Sequence, residues 1–237
     1  MKNTIDRREF IKTAGATALA VSPMGFITGC GNKTKSGMVV TQEAGEMTYR
    51  TNKAKNDKVS ILGYGCMRWP MKKNEEGKDI IDQEKVNELI DYALEKGVNY
   101  FDAAPVYLQG QCEAATGEAL SRHPRESYFV ATKLSNFNDA SRAEGIRMYK
   151  ASLEAFRTDY LDYYLLHSIK NAATFTKRFV DNGLIDFLME ERKAGRIRNL
   201  GFSFHGSKEG FDELMALHEK YHWDFVQIQL NYMDWNH

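Results

Sequence analysis

Cysteine is scarce in this sequence. Cys30, Cys66 and Cys112 are the only three, and no two of them stand at a C-x-x-C spacing. That excludes a zinc or iron–sulfur site written within these 237 residues. An excess of one charge is also lacking: 32 Lys and Arg face 32 Asp and Glu. The sequence therefore gives no sign of the basic face that nucleic acid requires. No apolar run approaches the roughly 18 residues that would span a bilayer. No G-x-G-x-x-G follows the first candidate strand, which argues against a doubly wound dinucleotide-binding half. What is present is a chain long enough for one large domain with a substantial core.

The amino terminus reads as an address. Asp6-Arg7-Arg8-Glu9-Phe10-Ile11-Lys12 sets two adjacent arginines ahead of an apolar residue and a lysine, and a small-residue, weakly apolar stretch follows to Ile27. This is the pattern of a twin-arginine export signal over residues 1–29. Ile27-Thr28-Gly29-Cys30 resembles a lipoprotein cleavage box, which makes Cys30 the expected lipidated residue and a membrane anchor an expected partner. Ordinary cleavage nearby is the alternative. Loss of 1–29 removes four basic and two acidic residues and leaves 28 against 30. Residues 30–46 lack apolar periodicity and suit a flexible tether. The expected localisation is export to the cell envelope, and twin-arginine substrates typically cross already folded.

From residue 47 onward strands and helices alternate. Residues 47–50 and 58–62 suit a hairpin, the second arm running into Gly63-Tyr64-Gly65-Cys66. Helices are expected after Asp82 (Val86, Leu89, Ile90, Ala93, Leu94 on one face, closed by Gly97), near 113–122, around Ile146, Tyr149, Leu153 and Phe156, around Leu184, Phe187 and Leu188, and after Ser207. Strands are expected at 98–101, 127–133, 161–167, 197–204 and 225–230. Residues 72–78 read as a solvated loop, Cys112 as a packing residue, and Tyr221-His222-Trp223 as helix-end packing.

Strand starts near 59, 98, 128, 161, 198 and 225 lie at βαβ spacing, on the order of 30 residues, so the sheet is parallel. Polar residues at successive strand ends favour a closed (β/α)8 TIM barrel, where those ends converge on one mouth, over an open sheet. Eight strands are required and about six are legible, so residues 47–237 read as a barrel cut short after about six βα units, behind an N-terminal hairpin.

The strand ends carry the chemistry. Asp102 stands where one strand stops and Tyr107 lies five residues on. Lys133 ends the next strand, and His167 the one after. Each has a plain alternative: a loop-capping carboxylate, a half-buried phenol, a snorkelling lysine, a satisfied core histidine. Asp102-Ala103-Ala104-Pro105-Val106-Tyr107, Ala131-Thr132-Lys133 and Leu165-Leu166-His167, in that order, resemble the motifs of the aldo-keto reductase superfamily. The resemblance runs from about Val59 to the end of the chain, through Gly201-Phe202-Ser203-Phe204-His205 and Gln227-Ile228-Gln229-Leu230-Asn231-Tyr232.

That resemblance implies reduction of a small aldehyde or ketone by hydride from NADP or NAD. Tyr107 is then the proton donor, with its pKa lowered by the Lys133 ammonium; Asp102 holds that lysine, and His167 orients the carbonyl. It also implies nicotinamide contacts from Ser203 and Gln227, with Cys66 and Met67 bordering the cofactor. Phe204 stands where the family often has asparagine. The last two motifs look most like a branch with a 4Fe-4S segment beyond the barrel, not present in these residues. Such a segment would suit an electron-transfer partner outside the cytoplasm. Three other readings compete: a metal-dependent barrel hydrolase using Asp102, His167 and His205, a non-catalytic nucleotide-binding redox sensor, and an inactive fragment.

Overall fold

The spacing of apolar residues sorts the chain into short strands and amphipathic helices, and the computed structural model describes this for residues 46–52, 55–138 and 141–230. The expected export signal, Cys30, nearly all of the tether, and residues 231–237 lie outside the described residues.

Two antiparallel strands, β1 (Tyr49–Asn52) and β2 (Asp57–Ser60), come first. The parallel sheet then uses β3 (Tyr64–Gly65), β6 (Tyr100–Asp102), β7 (Phe129–Leu134), β8 (Leu161–Ile169), β9 (Ile197–Phe204) and β10 (Phe225–Ile228). Its order is β10-β9-β8-β7-β6-β3, and every neighbouring pair is parallel. The helices are α1 (Gln83–Glu95), α2 (Cys112–Leu120), α3 (Arg142–Ala155), α4 (Ala172–Phe175), α5 (Leu184–Lys193), α6 (Lys208–Ala216) and α7 (His218–Tyr221).

Alternation along each strand makes two cores. Phe101, Val130, Leu134, Tyr164, Leu166, Leu200 and Phe202 face the helices in the larger one. Ala131, Tyr163 and Leu165 face the other way, joined by Tyr100, Phe129, Phe225 and Val59. A sheet that buries both faces needs near-continuous apolar strands, and β8 is buried at eight of its nine positions. The sheet is a curled parallel wall of six strands with helices outside, as a (β/α) barrel requires.

Two expectations need correction, and one element was missed. The arm at 58–62 is not the first parallel strand. Among the described residues β2 pairs only with β1, and Ser60 instead exchanges hydrogen bonds with Asn99 while its hydroxyl donates to Leu62 O at 2.7 Å. Ile61 and Leu62 are left exposed, and the parallel strand starts at Tyr64. Residues 72–78 are solvated, but the loop is confined to 74–78: β4 (Met71–Lys73) and β5 (Asp79–Ile81) pair around that turn, in which Asn74 Oδ1 accepts from Glu76 N and Lys78 N. Helix α4 and the wide turn Thr176–Val180 after it were not anticipated, since Asn171 caps α4 with no long apolar stripe to announce it.

The hairpin closes the end of the wall opposite the polar strand ends. Asp57 Oδ2 accepts from Tyr163 OH at 2.9 Å and Asn199 Nδ2 at 3.1 Å, and Val59 packs on the inner core. Asn199 is fully buried and Tyr163 nearly so. Replacing Asp57 by Ala removes the acceptor of the Tyr163 hydroxyl and one of two acceptors of Asn199 Nδ2, which keeps Asp162 O, so Asp57→Ala should lower the unfolding free energy by about 1–3 kcal/mol. Urea denaturation checks this; an unchanged midpoint would show that the hairpin carries no stability.

Candidate active site

The segment leading into Asp102 is set by a helix stop. Gly97 (φ +84°) ends α1: Gly97 N donates to Leu94 O and Val98 N to Ala93 O, a closure that needs the left-handed conformation at Gly97. Val98 is buried beyond it, and β6 delivers Asp102 to the open end of the wall. Tyr107 follows in a tight turn whose next three residues, Leu108 (φ +50°), Gln109 (φ +57°) and Gly110 (φ +87°), are all left-handed. Two such non-glycine residues in succession cost roughly 1–2 kcal/mol each. Part of that is offset by Leu108 packing on the outer core.

Lys133 projects from β7 to the inner face and is only 2% exposed. Its Nζ donates to Asp102 Oδ1 at 2.5 Å and to Ala103 O at 2.7 Å, and lies 5.0 Å from the centre of the Tyr107 ring. The His167 ring, from β8, meets Tyr107 edge-on at 5.9 Å between centres. The structure thus brings together the four residues Asp102, Tyr107, Lys133 and His167 from three different strand ends.

Charge in the site is set chiefly by burial. Asp102 is raised from its ordinary value by burial, against the pull of Lys133 and the Gln227 side chain, and its Oδ2 makes no hydrogen bond. Tyr107 is also raised: loss of water outweighs the Lys133 ammonium, whose own effect is in the expected, lowering direction. The sequence-based expectation of a net-acidified phenol is therefore corrected. His167 is pushed down to about 3, by burial first and then by Lys133, Arg178 and His205.

Ser203 and Gln227 sit opposite each other on β9 and β10, facing inward. Ser203 Oγ accepts from Ser168 N at 2.8 Å. This holds the bulge in β8 where Ser168 (φ +54°) breaks the register just past His167. Among the described residues the serine's own hydrogen has no acceptor, and Gln227 is exposed. Met67 is exposed in the turn after β3, at the same end of the wall. Cys66 is not: its side chain is fully buried in the outer core, and only backbone could face a ligand there. Cys112 is buried too, its Sγ donating to Cys66 O at 3.2 Å, as a packing residue.

His205 does not join a metal-ligand set. It is exposed and its Nδ1 pairs with Gln229 Oε1 at 2.8 Å, while Lys133 occupies the place beside Asp102 where a cation would bind. Among the described residues no group of three His, Cys, Asp or Glu could hold a metal ion.

Four residues that the sequence reading passed over belong to the site. Ser135 Oγ lies 2.5 Å from His167 Nδ1, and the Phe137 ring centre 5.1 Å from that of His167. Arg178 is buried, donating to His167 O at 2.7 Å and forking onto Asn136 Oδ1. Ser135 was findable, because two residues past Lys133 on a strand is the same face. Arg178 was not, because it comes from the unanticipated turn after α4.

A histidine held at about 3 ties stability to pH. The unfolded chain takes up a proton near pH 6.5 that the folded chain refuses, so stability should fall as pH drops from about 6.5 toward 3, by up to roughly 1.4 kcal/mol per unit. In His167→Gln that part of the slope should vanish. Denaturation at several pH values checks it; parallel curves for the two proteins would refute it.

Comparison with known proteins gives the family and the fold. Residues 61–237 match the aldo/keto reductase family. A probable aldo-keto reductase 1 from Glycine max is 31% identical over 156 residues, covering 61% of this chain and 41% of that protein. The holo structure of aldo-keto reductase AKR11C1 from Bacillus halodurans is 27% identical with a TM-score of 0.61, covering 78% of this chain and 58% of that one. An aldo/keto reductase from Klebsiella pneumoniae, solved with NADP and acetate, shares the fold at 23% identity and a TM-score of 0.55, over 72% of this chain and 54% of that one. The chain thus spans about half the length of these relatives.

Proposed function

The chain belongs to the aldo/keto reductase family, and we propose that its open strand ends reduce a small aldehyde or ketone with a hydride from NADPH or NADH. The observation that carries this reading is the sealed Lys133 ammonium, held by Asp102 on one side and set against Tyr107 on the other.

The residues present fit the nicotinamide end of such a cofactor. A carboxamide needs neutral donors and acceptors, which the hydroxyl hydrogen of Ser203 and the amide of the exposed Gln227 supply. Phe204, where the family often has asparagine, leaves those two to do it. When bound, the cofactor supplies the hydride. A solved neighbour of the same fold carries NADP, which supports a nicotinamide nucleotide here as well.

The chain's own groups handle the proton. A phenol whose pKa is raised keeps its hydrogen at neutral pH, so Tyr107 is loaded to donate. Its weak acidity matters less toward an alkoxide, which is far more basic. As the phenolate forms, the Lys133 ammonium stabilises it, and Asp102 keeps that ammonium from turning to water. His167, held neutral, donates a hydrogen bond to the carbonyl oxygen without competing as an acid. Export by Arg7-Arg8 and anchoring at Cys30 belong to this proposal as readings of the sequence; an envelope fraction containing the protein, lost on Arg7→Lys with Arg8→Lys, would support them.

Oxidation of NADPH by small aldehydes tests the reading. Tyr107→Phe should lower kcat by about 10²–10⁴-fold, the usual weight of a positioned acid. Lys133→Met should do comparable damage while circular dichroism confirms the fold. Turnover that survives Tyr107→Phe would overturn the role given to the phenol.

A further inference from the structure

We propose that Ser135 is a positioning residue that sets the tautomer of His167: its hydroxyl donates to Nδ1, so that Nε2 carries the hydrogen offered to the carbonyl oxygen. The inference rests on the carbonyl-reducing reading above and adds a residue that neither the motifs nor the family match assigns.

Hydrogen bookkeeping at the pair decides the direction. Ser135 Oγ and His167 Nδ1 are 2.5 Å apart, and either atom can supply the hydrogen between them. Were Nδ1 the donor, the serine's own hydrogen would need another acceptor. Ser135 is 4% exposed, and among the described residues its hydroxyl has no partner except this nitrogen. A buried hydroxyl without an acceptor costs about 1–3 kcal/mol. With the serine donating, its buried hydrogen has an acceptor, and the one hydrogen left without a protein partner is that on Nε2. Nδ1 accepts, and Nε2, for which no hydrogen bond is formed among the described residues and which is not one of the buried polar atoms lacking a partner, carries the hydrogen on the side of the ring away from Ser135.

The surroundings hold this state in two ways. First, the ring cannot readily become a cation that donates from both nitrogens. Lys133 from β7, Arg178 from the turn after α4 and His205 past the end of β9 all act against a charge there, and no carboxylate among the described residues offsets them. Second, the ring cannot readily turn over. Arg178 fixes the His167 carbonyl at 2.7 Å while Phe137 and Tyr107 contact the ring, at 5.1 and 5.9 Å between centres. Ser135 itself follows the last residue of β7, two residues past Lys133, and is fixed by its N–H on Met148 Sδ at 3.1 Å. The residue that places the ammonium lies in β7 and the residue that sets the imidazole follows that strand directly, so the two move together.

The test is nitrogen NMR on the histidine-labelled protein, with His167 identified among six histidines by loss of its signal in His167→Gln. The unaltered protein should show a single neutral tautomer with hydrogen on Nε2, unchanged from about pH 5 to 8. Ser135→Ala should convert this to a mixture of tautomers, and Ser135→Thr, which keeps the hydroxyl, should restore it. With NADPH and propanal, Ser135→Ala should lower kcat about tenfold, equivalent to ~1.4 kcal/mol, leaving the KM for NADPH unchanged. Hydrogen on Nδ1 in the unaltered protein, or a tautomer indifferent to Ser135→Ala, overturns the proposal. An Nε2 hydrogen set by Ser135 in a protein that reduces no carbonyl supports the assignment and overturns only the reading of the reaction.

Discussion

An ammonium withdrawn from water costs several kcal/mol unless charge and hydrogen bonds replace its hydration. Lys133 is such a group, and much of the mouth is arranged to make its burial tolerable. Asp102 and Ala103 O accept from it, and the Tyr107 ring turns its electron-rich face toward it at 5.0 Å. Each of those partners has its own support. Asp102 depends on the Gly97 stop that launches β6, and Tyr107 on a run of left-handed residues secured by Leu108. The same positive charge then acts outward, opposing deprotonation costs at the phenol and keeping His167 neutral.

The wall has two faces with different duties. Its outer face packs helices through Phe101, Val130, Leu134, Tyr164, Leu166 and Phe202. Its inner face changes character along each strand. Aromatic and aliphatic groups (Tyr100, Phe129, Tyr163, Phe225) fill the end that the hairpin closes, and Asp102, Lys133, His167, Ser203 and Gln227 occupy the other. Because the strands are parallel, one end of every strand meets at one place, and chemistry can be assembled there without disturbing the packed end. Asp57 illustrates the division: its carboxylate is spent on Tyr163 and Asn199, far from the residues of the mouth.

Legibility in the sequence followed the strength of local signals. Strand β9 was readable to its ends, and α6 was readable from its Ser207 cap. The two-residue strand β3 was not, since so short a strand has no periodicity, and the more apolar arm before it drew the assignment. The hairpin β4–β5 was hidden by its charged exposed side chains, because its stability comes from backbone pairing and from Asn74. Cys66 was misplaced for a related reason: its position past Gly65 says which loop it is in, not which way its side chain turns, and it turns into the core.

What the sequence by itself determined was the parallel repeat and the identity of the four polar residues at strand ends, because both follow from spacing along the chain. Only the tertiary structure decided what those residues feel. Whether burial or the neighbouring ammonium governs Tyr107, whether His167 takes a proton, and which side chains hold its ring depend on groups from Ser135, Arg178, Ser203 and Gln227 that lie up to several elements apart in sequence. Electrostatic and desolvation effects act over a few ångströms of space rather than along the chain, and the curl of the sheet is what brings those ångströms about.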